Sequence, residues 1–418
     1  MYQFGVVGLG YVGLPLAHAA VEAGLRGVGV DASSAVVDGL RSGRSHVDDL
    51  DDAQVAGMLG RGFVATVDPS PLASCEVIVI CVPTPLSDEG GPDLTAVRAA
   101  AEMVRDNLRT GALVILESTT WPGTTEELLQ PILESRGAQA GVDFHLAYSP
   151  ERIDPGNPTF NVRNTPKVVG GVTSQCREKA TAFYAQFVDT IVPAAGTREA
   201  EMAKLLENTY RQVNIALVNE MAKFSRELGI DIWNVISCAA TKPFGYQAFH
   251  PGPGVGGHCI PIDPSYLSHR VQAELGYPFR FVELAQEVNR SMPRYVRDRA
   301  QALLNDRGLP IRGSKILILG VTYKAGISDQ RESPAIPLAR QLLSLGAELQ
   351  FYDPFVQEWK APGVTLARVL DVELALRECD LAIVMQPHQS YGPDVLNRSR
   401  AFVLDARGSS QGDRIEKL

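Results

Sequence analysis

Cys259 stands in the run Pro251-Gly-Pro-Gly-Val-Gly-Gly-His-Cys259-Ile-Pro-Ile-Asp263-Pro264. Its glycines permit close backbone approach to a ligand, and Pro261 and Pro264 stiffen the chain ahead of a helix that can begin near Asp263. Backbone amides and a helix N-terminus favour a thiolate there. His258 is adjacent in an extended loop, where neighbouring side chains point apart, and receives at most a minor role. Far upstream, Gly8-Leu9-Gly10-Tyr11-Val12-Gly13 lies where a strand turns into a helix, and the next strand ends at Asp31. That order supplies a glycine turn, amides for a pyrophosphate and a carboxylate for a ribose, and Asp31 would repel a 2′-phosphate, so NAD is expected over NADP. A thiol beside a hydride acceptor can oxidise an aldehyde to an acid. Read singly, Cys259 also fits a buried cysteine in a glycine-rich turn, and Asp31 a solvated loop carboxylate.

Two further strand ends carry Val82-Pro83-Thr84-Pro85 and Glu117-Ser118-Thr119-Thr120. In an open α/β sheet the carboxyl ends of strands line the ligand crevice, so Pro83, Thr84, Ser118 and Thr119 suit nicotinamide and ribose contacts. Helix N-caps or tight turns explain the same residues taken alone. Lys204 and Asn208 are four apart on one helix face and could bind an oxyanion or a water. Without Cys259 they read as a solvated surface pair. The cysteines at 75, 81, 176, 238, 259 and 379 form neither a zinc spacing nor a disulfide frame. All but Cys259 read as small buried hydrophobes in a reduced, cytoplasmic chain, and no metal is expected.

The elements that must position these residues follow from periodicity. Phe4–Val7, Gly27–Val30, Val77–Val82, Leu113–Leu116 and His145–Tyr148 read as strands of a parallel, doubly wound sheet. From Thr197, Met202, Leu206, Tyr210, Val213, Leu217, Met221, Phe224 and Leu228 recur at helical spacing until Gly229, which predicts a long connecting helix and a dimer surface. Lys315–Leu319, Leu349–Tyr352, Leu381–Val384 and Phe402–Leu404 begin a second alternating pattern. The expected fold is α/β, with two doubly wound Rossmann-like domains joined by a long central helix: residues 1–195, 196–300 and 301–418. A net charge of -9 disfavours a nucleic-acid partner, and no apolar run is long enough to span a bilayer, so no membrane partner is expected.

With these motifs assembled, the chain resembles the UDP-glucose/GDP-mannose dehydrogenase family over essentially its whole length. The resemblance rests on the glycine fingerprint, Ser149-Pro-Glu151-Arg152, Gly256-Gly257-His-Cys259-Ile-Pro-Ile-Asp263, and Tyr323-Lys324 followed by Asp329-Gln-Arg331-Glu-Ser333. It implies oxidation of a nucleotide-sugar C6 alcohol to a carboxylate with reduction of two NAD, by a homodimer. Cys259 is then the nucleophile that captures the C6 aldehyde, Lys204 stabilises oxyanions, Asn208 holds sugar or water, and Asp263 assists proton transfer. Glu151 aligns near the hydrolytic water and Thr119 at the C6 centre. Gly257, Tyr323, Lys324 and Arg407 match substrate-holding positions, and Arg331 matches a residue that contacts NAD.

The run Gly-Gly-His-Cys259-Ile-Pro-Ile-Asp263, with Ser149-Pro-Glu-Arg152-Ile-Asp-Pro155-Gly-Asn157-Pro158, is similar to the UDP-N-acetylhexosamine branch, in which Arg152 meets the substrate. Pro155 replaces an acidic residue of the UDP-glucose branch, so that acid's role is not carried over. UDP-N-acetylglucosamine or a close relative is the expected sugar, with UDP-glucose and other nucleotide hexoses open. The rivals are a two-electron hydroxyacid-type dehydrogenase and an NAD-binding protein without chemistry.

Overall fold

Alternation along the strands explains the layering. In the first strand Phe4 and Val6 face one apolar cluster while Val7 faces another, so helices cover both sides of the sheet. The computed structural model describes residues 2–87, 91–154, 156–157, 159–257, 260–359, 361–399 and 401–418. By its contacts the chain divides into two units, Met1–Glu207 with Ser265–Leu275, and Asn208–Pro264 with Gly276–Leu418.

The first unit holds an eight-stranded sheet of β1 (Tyr2–Val7), β2 (Gly27–Val30), β3 (Val64–Thr66), β4 (Cys75–Ile80), β5 (Leu113–Leu116), β6 (His145–Tyr148), β7 (Lys167–Gly171) and β8 (Ile191–Pro193). Its order, β3-β2-β1-β4-β5-β6-β7-β8, contains the doubly wound dinucleotide-binding arrangement. The five strands expected from the sequence all pair in parallel, and β7, which was not among them, runs antiparallel to β6. The strand expected over Val77–Val82 also shifts to Cys75–Ile80, since Pro83 and Pro85 lack the amides to extend a ladder.

The second unit holds an all-parallel sheet of β9 (Lys315–Leu319), β10 (Glu348–Tyr352), β11 (Ala367–Arg368), β12 (Leu381–Val384), β13 (Phe402–Asp405) and β14 (Ile415–Lys417). Its order, β11-β10-β9-β12-β13-β14, repeats the first six positions of the other sheet. A helix over Thr197–Glu227 runs through residues of both units, as its unbroken periodicity predicts. No helix among the described residues is long and apolar enough to cross a membrane.

Candidate functional site

At the end of β1 the chain turns through Gly8, whose φ of 93° favours glycine, and a Cβ there would lie 2.5 Å from the Cys81 carbonyl oxygen. A Cβ on Gly13 would meet the Gly8 carbonyl at 1.9 Å, so that glycine lets the helix Gly13–Glu22 pack against the strand. Gly10 faces open space, which leaves room for a pyrophosphate against the backbone. Tyr11 and Val12 close the turn, with Val12 as the residue before the helix. Asp31 accepts the Leu9 amide at 2.8 Å and the Ser33 amide at 2.9 Å. Each oxygen keeps a lone pair for a ribose hydroxyl, so these residues fit NAD.

The strand-end hydroxyls tie two loops together rather than cap helices. Ser118 Oγ donates to the Val82 carbonyl at 2.7 Å, and Thr84 Oγ1 to the Thr119 carbonyl at 2.9 Å. Pro83 is exposed beside them and Thr119 is half-buried.

The long helix corrects the reading of Lys204 and Asn208 as a surface pair: both are buried. Glu201, Lys204, Asn208, Gln212 and Asn219 form a buried polar stripe, whereas Met202, Leu206, Tyr210, Leu217 and Phe224 are exposed. Lys204 Nζ donates to the main-chain carbonyl of Glu151, whose own carboxylate accepts the Ile153 amide. Arg152 is held by Glu207, with Nη2 to Oε1 at 2.5 Å, and by the Pro166 carbonyl. One turn before Lys204, Glu201 accepts the amides of Gly123 and Thr125 and the Thr125 hydroxyl. It therefore pins the loop that follows Thr119 to the helix that carries Lys204.

A second buried group escapes sequence reasoning. Glu117, at the end of β5, pairs with Lys167 Nζ at 3.0 Å and accepts the Tyr184 hydroxyl. Burial pushes its carboxyl above the usual range, against the pull of Lys167. Glu117 was visible in its motif, but nothing in the chain order pairs it with residues 50 and more positions away.

In the second unit, Asn208 Nδ2 donates to Asp263 Oδ2 at 2.5 Å, and Asp263 opens the helix Asp263–Leu275. The glycine run packs tightly on this unit: a Cβ on Gly257 (φ 83°) would lie 2.8 Å from the Tyr323 ring, and one on Gly252 2.9 Å from Arg407 Nη1. Gln386, unforeseen in the sequence, fixes the Tyr323 turn by donating to the Thr322 and Tyr323 carbonyls at 3.1 and 2.7 Å. Lys324 follows in that turn, its carbonyl accepting Thr322 Oγ1. Burial pushes the Arg407 guanidinium down to about 10, still charged near neutral pH. Arg331 is exposed and grips Asp329 through Nε at 2.9 Å and Nη2 at 2.6 Å. Cys259 and His258, and the branch-marking Pro155 and Pro158, lie outside the described residues.

Among the other thiols, burial pushes Cys75 and Cys379 up to about 12 and Cys81 higher still, which makes them inert near neutral pH. Cys238 departs from the expected burial: it is exposed on the helix Ile232–Ala240, which buries Ile232 and Ile236 instead. Among the described residues no cluster of three His, Cys, Asp or Glu side chains could hold a metal ion.

Three family models match the chain in order: the NAD binding domain of the UDP-glucose/GDP-mannose dehydrogenase family over residues 2–188, its central domain over 198–291 and its UDP binding domain over 317–411. The chain belongs to the UDP-glucose/GDP-mannose dehydrogenase family. As a member of that family it is an NAD-dependent nucleotide-sugar dehydrogenase. An NDP-N-acetyl-D-galactosaminuronic acid dehydrogenase of Ralstonia nicotianae is 34% identical over 98% of this chain and 96% of its own length. A UDP-N-acetyl-D-glucosamine 6-dehydrogenase of Pseudomonas aeruginosa is 36% identical over 84% of this chain and 82% of its own. The solved UDP-D-ManNAc dehydrogenase of Pyrococcus horikoshii superposes with a TM-score of 0.90 at 32% identity, covering 99% of this chain and 98% of that one. These family members support the N-acetylhexosamine branch expected from the motifs around Cys259 and Glu151.

Proposed function

We propose that this chain oxidises the C6 hydroxymethyl group of a UDP-N-acetylhexosamine, with UDP-N-acetylglucosamine first among candidates, to the uronic acid through Cys259. The buried Asn208–Asp263 pair carries the reading, because an amide fixed to a carboxylate at a helix start can orient a hydroxyl or a water and take its proton. The names of the family relatives support the acetylated sugar.

NAD, when bound, supplies two hydride acceptances, one per oxidation. In the first, the C6 hydroxyl gives up its proton through Asp263 and its carbon-bound hydrogen as hydride, and the Lys204 ammonium stabilises the alkoxide that develops. The Cys259 sulfur then bonds to the aldehyde carbon while the thiol proton passes to the oxygen, giving a thiohemiacetal. Loss of a second hydride and of the hydroxyl proton leaves a thioester. Water positioned by Asn208 and Glu151 adds to it, the C–S bond breaks and the thiol is restored. The balance is one alcohol, one water and two NAD giving one carboxylate, two NADH and three protons. Thr119 lies at the C6 centre in this scheme, Arg152 at the sugar, and Gly257, Tyr323, Lys324 and Arg407 hold the nucleotide half. Gly8 to Gly13, Asp31, Pro83, Thr84, Ser118 and Arg331 serve NAD.

The same reading assigns NAD binding to residues 1–195, the catalytic helix and cysteine loop to 196–300, and nucleotide binding to 301–418, in a cytoplasmic homodimer formed through the long helix. The exposed apolar stripe on that helix supports the dimer. Purified enzyme with a panel of UDP-sugars should yield two NADH per sugar, read at 340 nm. One NADH with a stable aldehyde or ketone would overturn the scheme. A Cys259→Ser variant should bind NAD and sugar normally and lose turnover by about 10³-fold or more, because the thioester cannot form.

A further inference from the structure

The run ahead of Cys259 carries glycines at 252, 254, 256 and 257, a residue type whose backbone is permissive and must be held by its surroundings. Its walls are close. A Cβ on Gly254 would lie 3.3 Å from the Asn289 carbonyl oxygen, and one on Gly256 2.5 Å from that of Glu332. Walls limit where the backbone can go but do not fix its register. Among the described residues of the run, the Gly252 amide makes a directional bond, donating to Asn219 Oδ1 at 2.9 Å.

Asn219 lies on the long helix and is fully buried. Its Nδ2 donates to Asn289 Oδ1 at 2.9 Å, and Asn289, buried on the helix Arg280–Asn305, donates through Nδ2 to the Gln212 carbonyl at 3.3 Å. The polarity of this chain is forced from both ends. A backbone N–H can only donate and a backbone carbonyl can only accept, so Gly252 sets the oxygen of Asn219, Gln212 sets the nitrogen of Asn289, and neither amide can flip. Flipping either would bring donor against donor or acceptor against acceptor in a buried site, which costs more than the bond itself is worth.

We infer that the Asn219–Asn289 amide pair is a positioning relay for the glycine run that leads in sequence to Cys259: it locks the Gly252 amide and so restricts that run. The inference rests on the proposed role of Cys259. Asn219 acts through Gly252, and Asn289 acts through Asn219. Both act on the thiol steps; of the residues assigned to NAD, the glycine fingerprint and Asp31 belong to the other unit, and Arg331 is held by Asp329.

Hydrogen exchange on the wild-type enzyme tests the relay without any variant. Peptides spanning residues 249–257 should retain one slowly exchanging amide, that of Gly252, and fast exchange of every amide there would overturn the inference. In Asn219→Ala that protection should vanish and kcat should fall about 10–100-fold, the scale set by a small misplacement of a reacting group, with KM for NAD unchanged. A folded Asn219→Ala enzyme with wild-type kcat would also refute it. The double variant Asn219→Ala/Asn289→Ala should be no slower than Asn219→Ala alone, because the second residue works only through the first. Additive losses would show two independent structural roles instead. Loss of Gly252 protection is read apart from turnover, so failure of the relay is distinguishable from failure of the Cys259 scheme, which Cys259→Ser alone decides.

Discussion

Glu201 shows how burial sets a residue's chemistry. Three hydrogen bonds favour its carboxylate, yet desolvation outweighs them and pushes its pKa up to about 7 from the 4.5 of a free side chain. A carboxyl whose pKa is higher in the folded chain binds its proton more tightly there than when unfolded. Its contribution to stability is therefore complete below about pH 4.5 and is lost as pH rises through about 7, to the extent of about 3 kcal/mol. Melting temperatures of wild type and Glu201→Gln taken from pH 5 to pH 8 should converge, with the wild type losing more. Parallel curves would mean that Glu201 does not titrate in this range. Since Glu201 also holds the loop after Thr119 through Gly123 and Thr125, the variant should be slower at every pH.

The long helix mixes both characters on its buried side. Glu201, Lys204, Asn208, Gln212 and Asn219 are buried there beside Ala200, Leu205, Ala216, Val218 and Ala222, while Leu206 is 62% and Leu217 53% exposed. Periodicity finds a stripe but not the side on which water lies, because a chemical site needs buried polar groups and an oligomer needs exposed apolar ones. This is why the sequence pattern placed Lys204 and Asn208 on a solvated face when read without Cys259. If the stripe is a dimer surface, a Leu206→Glu/Leu217→Glu enzyme should sediment at the mass of one chain where the wild type sediments at two. An unchanged mass would place the interface elsewhere.

Across the whole molecule, the six-stranded sheet repeats the order of the first six strands of the eight-stranded one, and each places a glycine after its first strand and an aspartate after its second. Gly8 and Asp31 pair through the Leu9 amide at 2.8 Å, and Gly320 and Asp353 through the Val321 amide at 2.9 Å. Asp31 stays half-exposed, but Asp353 is fully buried beside His388 and accepts the Phe355 amide as well. Asp31→Ala should therefore raise the preference for NADP relative to NAD by about tenfold, as expected for loss of a charge-assisted contact. Asp353→Ala should leave KM for NAD unchanged and destabilise the fold by about 1–3 kcal/mol through its orphaned amides, measured by denaturant melts. The amino-acid order by itself determined the fold class, the fingerprint, the cysteine loop and the family, since each is a local pattern of glycines, prolines and alternating apolar residues. Only the tertiary structure decided which carboxylates are buried, that Lys204 leans on a carbonyl of Glu151, that Glu117 meets Lys167, and that Asn219 reaches Gly252. Those pairings depend on long-range packing, and desolvation exists only once the chain has closed around them.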